Sequence, residues 1–289
     1  MARALLRRAS ITVEAMRRFS QVDVFTDEFL MGNPVAVVHD ADGLTSDEMA
    51  AMARWTNLSE TTFLLTPSVP NADYSLRIFT PSVELPFAGH PTLGSARAWL
   101  EAGGVPKRPN ELVQECGAGL VRLRQTGSSL AFAAPPLLRT GEVDTSDLHE
   151  IARALHISLS DIVDAHWVDN GPGWAAVLLR DADAVLALEV DPVQMKEWHI
   201  GAIGSFPPGS ECDFEIRAFM SGGVEDPVTG SLNASVAQWL IGAGKVPTHY
   251  TVSQGTRLQR RGRITIEQDD VDIWIAGETV LGIVGHVAL

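Results

Sequence analysis

Apolar positions along this chain recur with two periods, and the short one dominates. QVDVFT (21–26) and PVAVVH (34–39) are short apolar or alternating runs separated by Gly32 and Asn33, and they predict a pair of strands. Thr45 with Glu48 forms a capping box that opens a helix to about Trp55. TTFLLTP (61–67), YSLRIFT (74–80) and VELP (83–86) predict strands, followed by a helix from about Pro91 to Ala102. Residues 112–135, rich in glycine turns, predict three more strands. Asp144 to His156 has helical spacing, and Asp191-Pro192 starts another helix in the cap-then-proline pattern. Strands are expected again from Cys212 to Met220 and from Tyr250 to the C-terminus.

The pattern is written twice. LRIFTPSVELPFAGHPTLGSARAWLEAGGVP (76–106) and IRAFMSGGVEDPVTGSLNASVAQWLIGAGKVP (216–247) both run strand, loop, small-residue helix, glycines, Val-Pro. Matching Pro91 to Pro227, Gly94 to Gly230, Ser95 to Ser231, Trp99 to Trp239 and Val105 to Val246 makes the second loop four residues shorter and the second helix four longer. GNPVAVV (32–38) has a weaker echo in GPGWAAVLL (171–179). Self-similarity over such a span implies two lobes of one design. The expected division is an extension over 1–18, a first lobe over 19–135 and a second over 136–289, with the last strand able to return to the first lobe. Strands outnumber helices and many are hairpin-linked, so the fold class is α+β, two pseudo-symmetric lobes, each a barrel-like β-sheet around a central helix.

Composition changes this picture little, but it prunes functions. With 45% hydrophobic and 20% charged residues the chain is an ordinary globular protein, and no run approaches the roughly 18 apolar residues of a membrane helix. A net charge of −14 argues against a nucleic-acid partner, whose phosphates need clustered Lys and Arg. Cys116 and Cys212 form no CxxC pair, and the eight histidines make no HxH or HExxH, so neither a disulfide nor a metal is implied. The first eighteen residues carry five Arg and one Glu, against the acidic trend, without a secretory apolar run; they are set aside as an extension expected to be disordered.

Candidate chemistry gathers where the repeat helices begin. A helix N-terminus presents unpaired N–H groups and a partial positive charge, so two such ends at a lobe junction would hold a small carboxylate, with Gly89 and Gly230 keeping the backbone accessible. His90, Asp226 and Ser231 stand there. Histidine is the side chain most easily tuned near neutral pH. Asp226, before Pro227, could instead be an N-cap, and Ser231 a small packing residue that mirrors Ser95. Glu60, between a helix end and the apolar strand TTFLL, would lose solvation there, which raises a carboxyl toward a useful pKa.

These residues resemble a known family. QVDVFT…GNPVAVV, NLSETTF, ELPFAGHPTLGSA, GGVEDPVTGSLNASVAQWL and, more weakly, VSQG (252–255) are similar, in order over residues 21 to about 260, to the PhzF family of phenazine-biosynthesis isomerases, within the diaminopimelate-epimerase fold. The resemblance implies a cytoplasmic homodimer and cofactor-free proton transfer on a small carboxylate, trans-2,3-dihydro-3-hydroxyanthranilate in the type case. It also implies Glu60 as acid/base, with His90, Asp226 and Ser231 lining the site. Epimerases of this fold carry a thiol at each helix start; here those places are expected at Ala88 and Pro227. Two features depart from the family pattern: Gln259-Arg260-Arg261-Gly262 after VSQG, and the Arg-rich extension. An isomerase or epimerase of another metabolite, or a binding protein without catalysis, shares the same sequence features.

Overall fold

The computed structural model describes residues 16–289. Most of the expected extension lies outside them, but Met16–Arg18 do not belong to it. They open β1 (Met16–Val24), because they find partners in the last strand, Arg17 opposite Val287; from Phe19, opposite Val38, β1 is paired on both sides.

The first lobe continues through β2 (Asn33–Val38), α1 (Ser46–Thr56), β3 (Thr61–Leu65), β4 (Tyr74–Phe79), the two-residue β5 (Glu84–Leu85), α2 (Gly89–Glu101), β6 (Glu111–Cys116), β7 (Gly119–Thr126) and β8 (Ser129–Ala133). The second lobe repeats the plan. It comprises β9 (Arg139–Glu142), α3 (Thr145–Ala154), β10 (Ile162–Asp169), β11 (Trp174–Leu179), α4 (Ala182–Leu186), α5 (Pro192–Met195), β12 (His199–Ser205), β13 (Phe214–Phe219), β14 (Glu225–Asp226), α6 (Gly230–Gly242), β15 (His249–Gln254), β16 (Gly262–Gln268) and β17 (Ile273–Gly277). β18 (Thr279–Ala288) then crosses back to pair antiparallel with β1.

All eighteen strands belong to one hydrogen-bonded sheet. In each lobe the path mixes parallel and antiparallel neighbours: β2 with β3 and β4 with β6 are parallel, as are β11 with β12 and β13 with β15. The lobes are stitched by β8 against β17, with Phe132 opposite Ile275. α2 and α6 supply Leu93, Ala96, Leu232, Val236 and Leu240 to the largest buried apolar cluster. The small residues of α2 now have a reason. A Cβ on Gly94 would stand 2.3 Å from a methyl of Val35, so only glycine lets the helix lie this close to β2.

The structure moves the register of the repeat. α2 and α6 are both thirteen residues long, and each begins four residues after a two-residue strand. ELPFAGH (84–90) therefore matches EDPVTGS (225–231) without a gap. Pro86 answers Pro227, Gly89 answers Gly230 and His90 answers Ser231; the four-residue exchange between loop and helix does not exist. Pro91 and Gly94 had drawn the sequence match because they imitate Pro227 and Gly230 at the same spacing. Ser95 does not mirror Ser231; its hydroxyl shares a 2.8 Å hydrogen bond with Thr62.

The same register explains a second pair. Arg77 forks onto Glu84 at 2.7 Å through both Nε and Nη2, and Arg217 forks onto Glu225 at 3.0 and 2.7 Å. Each guanidinium also covers a phenylalanine two residues on, Phe79 or Phe219. These paired forks fix β5 and β14, the two short strands that lead into the helix starts. Among the described residues no helix is long and apolar enough to cross a membrane.

Candidate active site

The two helix starts meet. A Cβ on Gly230 would lie 3.0 Å from Gly89 Cα, and one on Gly89 would lie 2.9 Å from Gly230 Cα, so the backbones themselves are in contact. Neither helix has a side-chain cap: the N-cap residues are Ala88 and Thr229. Asp226 is therefore not the cap of α6, as its place before Pro227 had allowed. In the observed register Ala88 answers Thr229 rather than Pro227, and Cys116 and Cys212 are free elsewhere. The first N–H groups of both helices remain without a side-chain partner at the junction.

Glu60 reaches this junction from the first lobe. α1 ends on Asn57 in the left-handed conformation, and four residues later β3 begins, tied back by a 2.6 Å contact between the hydroxyls of Thr56 and Thr61. Glu60 sits at the mouth of that strand with 14% of its side chain exposed, its Oε2 3.2 Å from Nε2 of His90. The two atoms touch without the alignment of a hydrogen bond, and neither has another polar partner. Burial, reinforced by the negative charge of Asp226, raises the Glu60 carboxyl to about 8. Burial alone lowers the His90 imidazole to about 3. At neutral pH the contact is therefore one between uncharged groups, not a salt bridge.

Asp226 comes from the second lobe and is bound from two directions. Thr229 donates its hydroxyl to Oδ2 at 2.6 Å, and Asn33 donates its amide to Oδ1 at 2.9 Å. Burial raises this carboxyl to about 6, against the pull of those two hydrogen bonds. Behind it, Gln254 accepts from the Thr229 backbone N–H at 3.0 Å and from Asn233 at 2.9 Å, and donates to the Thr229 hydroxyl at 2.9 Å.

Glu60, His90 and Asp226 are thus brought together around Gly89 and Gly230. Ser231 is one residue beyond the contact, and its hydroxyl accepts from the Trp174 indole at 3.1 Å rather than meeting the acid groups. Asn33, Thr229, Gln254, Asn233 and Trp174 had no role in the sequence reading. Their signals were present in its own motifs: Asn33 in GNP, Thr229 in DPVTGS, Gln254 in VSQG. A polar residue within an apolar strand that must face inward is a residue in need of a partner.

Comparisons with known proteins identify the family and the fold. The phenazine biosynthesis-like protein family, PhzC-PhzF, matches residues 22–285. The fission yeast Schizosaccharomyces pombe protein named Antisense-enhancing sequence 1 is 39% identical over 270 residues, 87% of this chain and 90% of its own. A trans-2,3-dihydro-3-hydroxyanthranilate isomerase of Pseudomonas fluorescens is 37% identical over 236 residues, 80% of this chain and 82% of its own. The crystal structure of a Bacillus anthracis phenazine biosynthesis protein of the PhzF family shares the fold with a TM-score of 0.80 at 24% identity, covering 95% of this chain and 99% of that one. The chain belongs to the PhzC-PhzF family of phenazine biosynthesis-like proteins.

Proposed function

We propose that the protein is an isomerase that moves a proton between two carbons of a small carboxylate, trans-2,3-dihydro-3-hydroxyanthranilate or a compound close to it. The observation that carries this reading is Glu60: a carboxyl group held near pH 8, against a neutral imidazole, beside two abutting helix starts. General acid–base catalysis works best when the pKa of the group lies near the working pH. With its carboxyl near 8, roughly one Glu60 in ten is ionised at pH 7 and the rest hold a proton. Both forms are populated, so one group can take a proton from carbon and return it at another carbon of the same conjugated system. No cofactor is needed for that step, because the carboxyl is both acceptor and donor of the proton.

The substrate carboxylate docks on the open N–H groups near Gly89 and Gly230. The Ser231 oxygen already accepts from Trp174, which leaves its own hydrogen to donate. Negative charge that builds on the substrate is stabilised by these fixed donors, and His90 and Asp226 orient the substrate or tune Glu60. Acid–base transfer of this kind contributes on the order of 10²–10⁴-fold.

The test is turnover of trans-2,3-dihydro-3-hydroxyanthranilate in D₂O, wild type beside Glu60→Gln. The expected result is an isomerised product carrying deuterium, lost in the variant. A wild type that leaves the compound unchanged removes this substrate and turns the search to other small carboxylates. Undiminished turnover by Glu60→Gln removes Glu60 as the base.

A further inference from the structure

Asn33, the first residue of β2, is 1% exposed, and its amide spans the two lobes. The nitrogen donates to Asp226 Oδ1 and to the Val228 carbonyl, both at 2.9 Å, and lies 3.4 Å from Nδ1 of His90. The direction of this amide is fixed. Turning it over would set Oδ1 against the Val228 carbonyl, which is an acceptor at every pH, and against the Asp226 carboxylate. Oδ1 itself is buried without a partner, so the donors hold the amide in place. Nδ1 of His90 therefore faces a nitrogen that carries hydrogens, and only its lone pair suits that neighbour. A neutral imidazole has one proton to place, and burial keeps this ring neutral down to about pH 3. The remaining place is Nε2, the atom 3.2 Å from Glu60 Oε2.

We propose that Asn33 is a positioning residue: its amide, held donor-side toward Asp226 and the Val228 carbonyl of the second lobe, offers Nδ1 of His90 no acceptor and so locks this ring of the first lobe in the Nε2–H tautomer, with the protonated nitrogen beside the Glu60 carboxyl. A second observation runs parallel. Trp174, the first residue of β11, likewise donates to the second residue of the helix it faces, its indole to the Ser231 hydroxyl. In both lobes the opening residue of this inner strand sets the hydrogen-bonding direction of the side chain at the helix start. For turnover, a protonated nitrogen 3.2 Å from Glu60 needs only a small shift to donate to the carboxylate each time the proton has left it. That consequence rests on the proposed reaction, but the tautomer does not.

The test is ¹⁵N NMR of the histidine rings of the labelled full chain near pH 7, with the His90 signals identified by their loss in His90→Gln. In the wild type, Nε2 is expected as the protonated ring nitrogen and Nδ1 as the bare one. Asn33→Asp keeps the shape but replaces the donor with an acceptor, and is expected to draw the proton to Nδ1. A wild-type His90 protonated at Nδ1, or a folded Asn33→Asp in which the proton stays on Nε2, overturns the proposal; should the variant not fold, the wild-type spectrum alone decides. With the proposed substrate, kcat/KM of Asn33→Asp is expected to fall on the order of 10²-fold, and its melting to fall as well, because an oxygen then faces the Val228 carbonyl and Asp226. A tautomer shift without any loss of turnover would count against the reaction assigned to Glu60, not against the role of Asn33.

Discussion

Gly230→Ala tests the meeting of the helix starts, because the perturbation is one methyl group and its surroundings are backbone. The new Cβ would stand 3.0 Å from Gly89 Cα, 3.3 Å from Gly89 C and 3.3 Å from His90 N. None of these atoms can rotate aside as a side-chain tip could. Ordinary contact needs about 0.4 Å more than the shortest of these distances, and the two helices must part to provide it. Overpacking of this kind costs about 1–3 kcal/mol, less a few tenths regained from the better helix propensity of alanine at a helix terminus. For a chain of this size that lowers Tm by roughly 2–10 °C. Moving His90 and the free N–H groups by a fraction of an ångström should also lower kcat/KM by about 10–100-fold. Gly242→Ala, at the far end of the same helix with nothing within 4 Å of its Cβ, is the control, and it should hold or slightly raise Tm. Thermal melting by circular dichroism reads the first effect and steady-state turnover the second. A Gly230→Ala protein that melts with the wild type refutes the backbone contact. One that melts early but turns over normally refutes the placement of the site at the junction.

Three titration experiments follow from the buried carboxyls. The acid limb of kcat/KM should report free Glu60, rising with pH to a plateau above about 8; a profile flat from pH 6 to 9 would contradict a base with this pKa. Asp226→Asn removes the negative charge that helps raise Glu60, so the limb should move to lower pH, and an upward shift would show that this charge does not act on Glu60. Glu60 is raised in the folded protein from an ordinary 4.5 to about 8, so its contribution to stability is complete below 4.5 and is lost as pH climbs to 8. Urea unfolding of Glu60→Gln beside wild type should show the variant gaining between pH 5 and pH 8, by at most about 1.4 kcal/mol per pH unit, and then holding constant; parallel curves would mean that Glu60 ionises as freely in the fold as outside it.

Much of the architecture was legible because the period-two runs and glycine turns are local signals. Thr45 and Glu48 make the capping box they promised, and Asp144 and Asp191 cap the helices they precede. The helix start at Gly89 was misplaced by two residues because Pro91 is a favoured first-turn residue, while the true N-cap, Ala88, carries no capping side chain at all. A helix start without a capping side chain lacks the feature by which sequence marks an end. The strand Met16–Arg18 was invisible for another reason: its partners, Ala288, Val287 and His286, lie in the last strand, more than 260 residues away. Glu60, His90 and Asp226 could be named because each stands at a punctuation mark of the chain. Asn33 and Gln254 could not, because what they do is defined by a partner on another segment, 193 residues on for Asn33 and 25 residues back for Gln254.

The duplicated segment also shows how one design came to hold two different half-sites. ELPFAGH and EDPVTGS agree at glutamate, proline and glycine. Those are the residues that answer the arginine fork, turn the chain and let the backbones touch, which either lobe needs if the helix starts are to meet. They differ at Phe87 and Val228, both apolar, and at Leu85 and Asp226, Ala88 and Thr229, His90 and Ser231, where at least one lobe places a polar side chain at the junction. The strand that follows Glu60 also has a counterpart in β12, HIGAIGS, which contains no carboxylate. Here the first lobe brings Glu60 and His90 to the junction, and the second brings Asp226, held by Asn33 and Thr229. Asn33 joins the two halves, its amide donating to Asp226 and the Val228 carbonyl of the second lobe beside His90 of the first, so under the proposed reaction Asn33→Asp should disturb both halves at once.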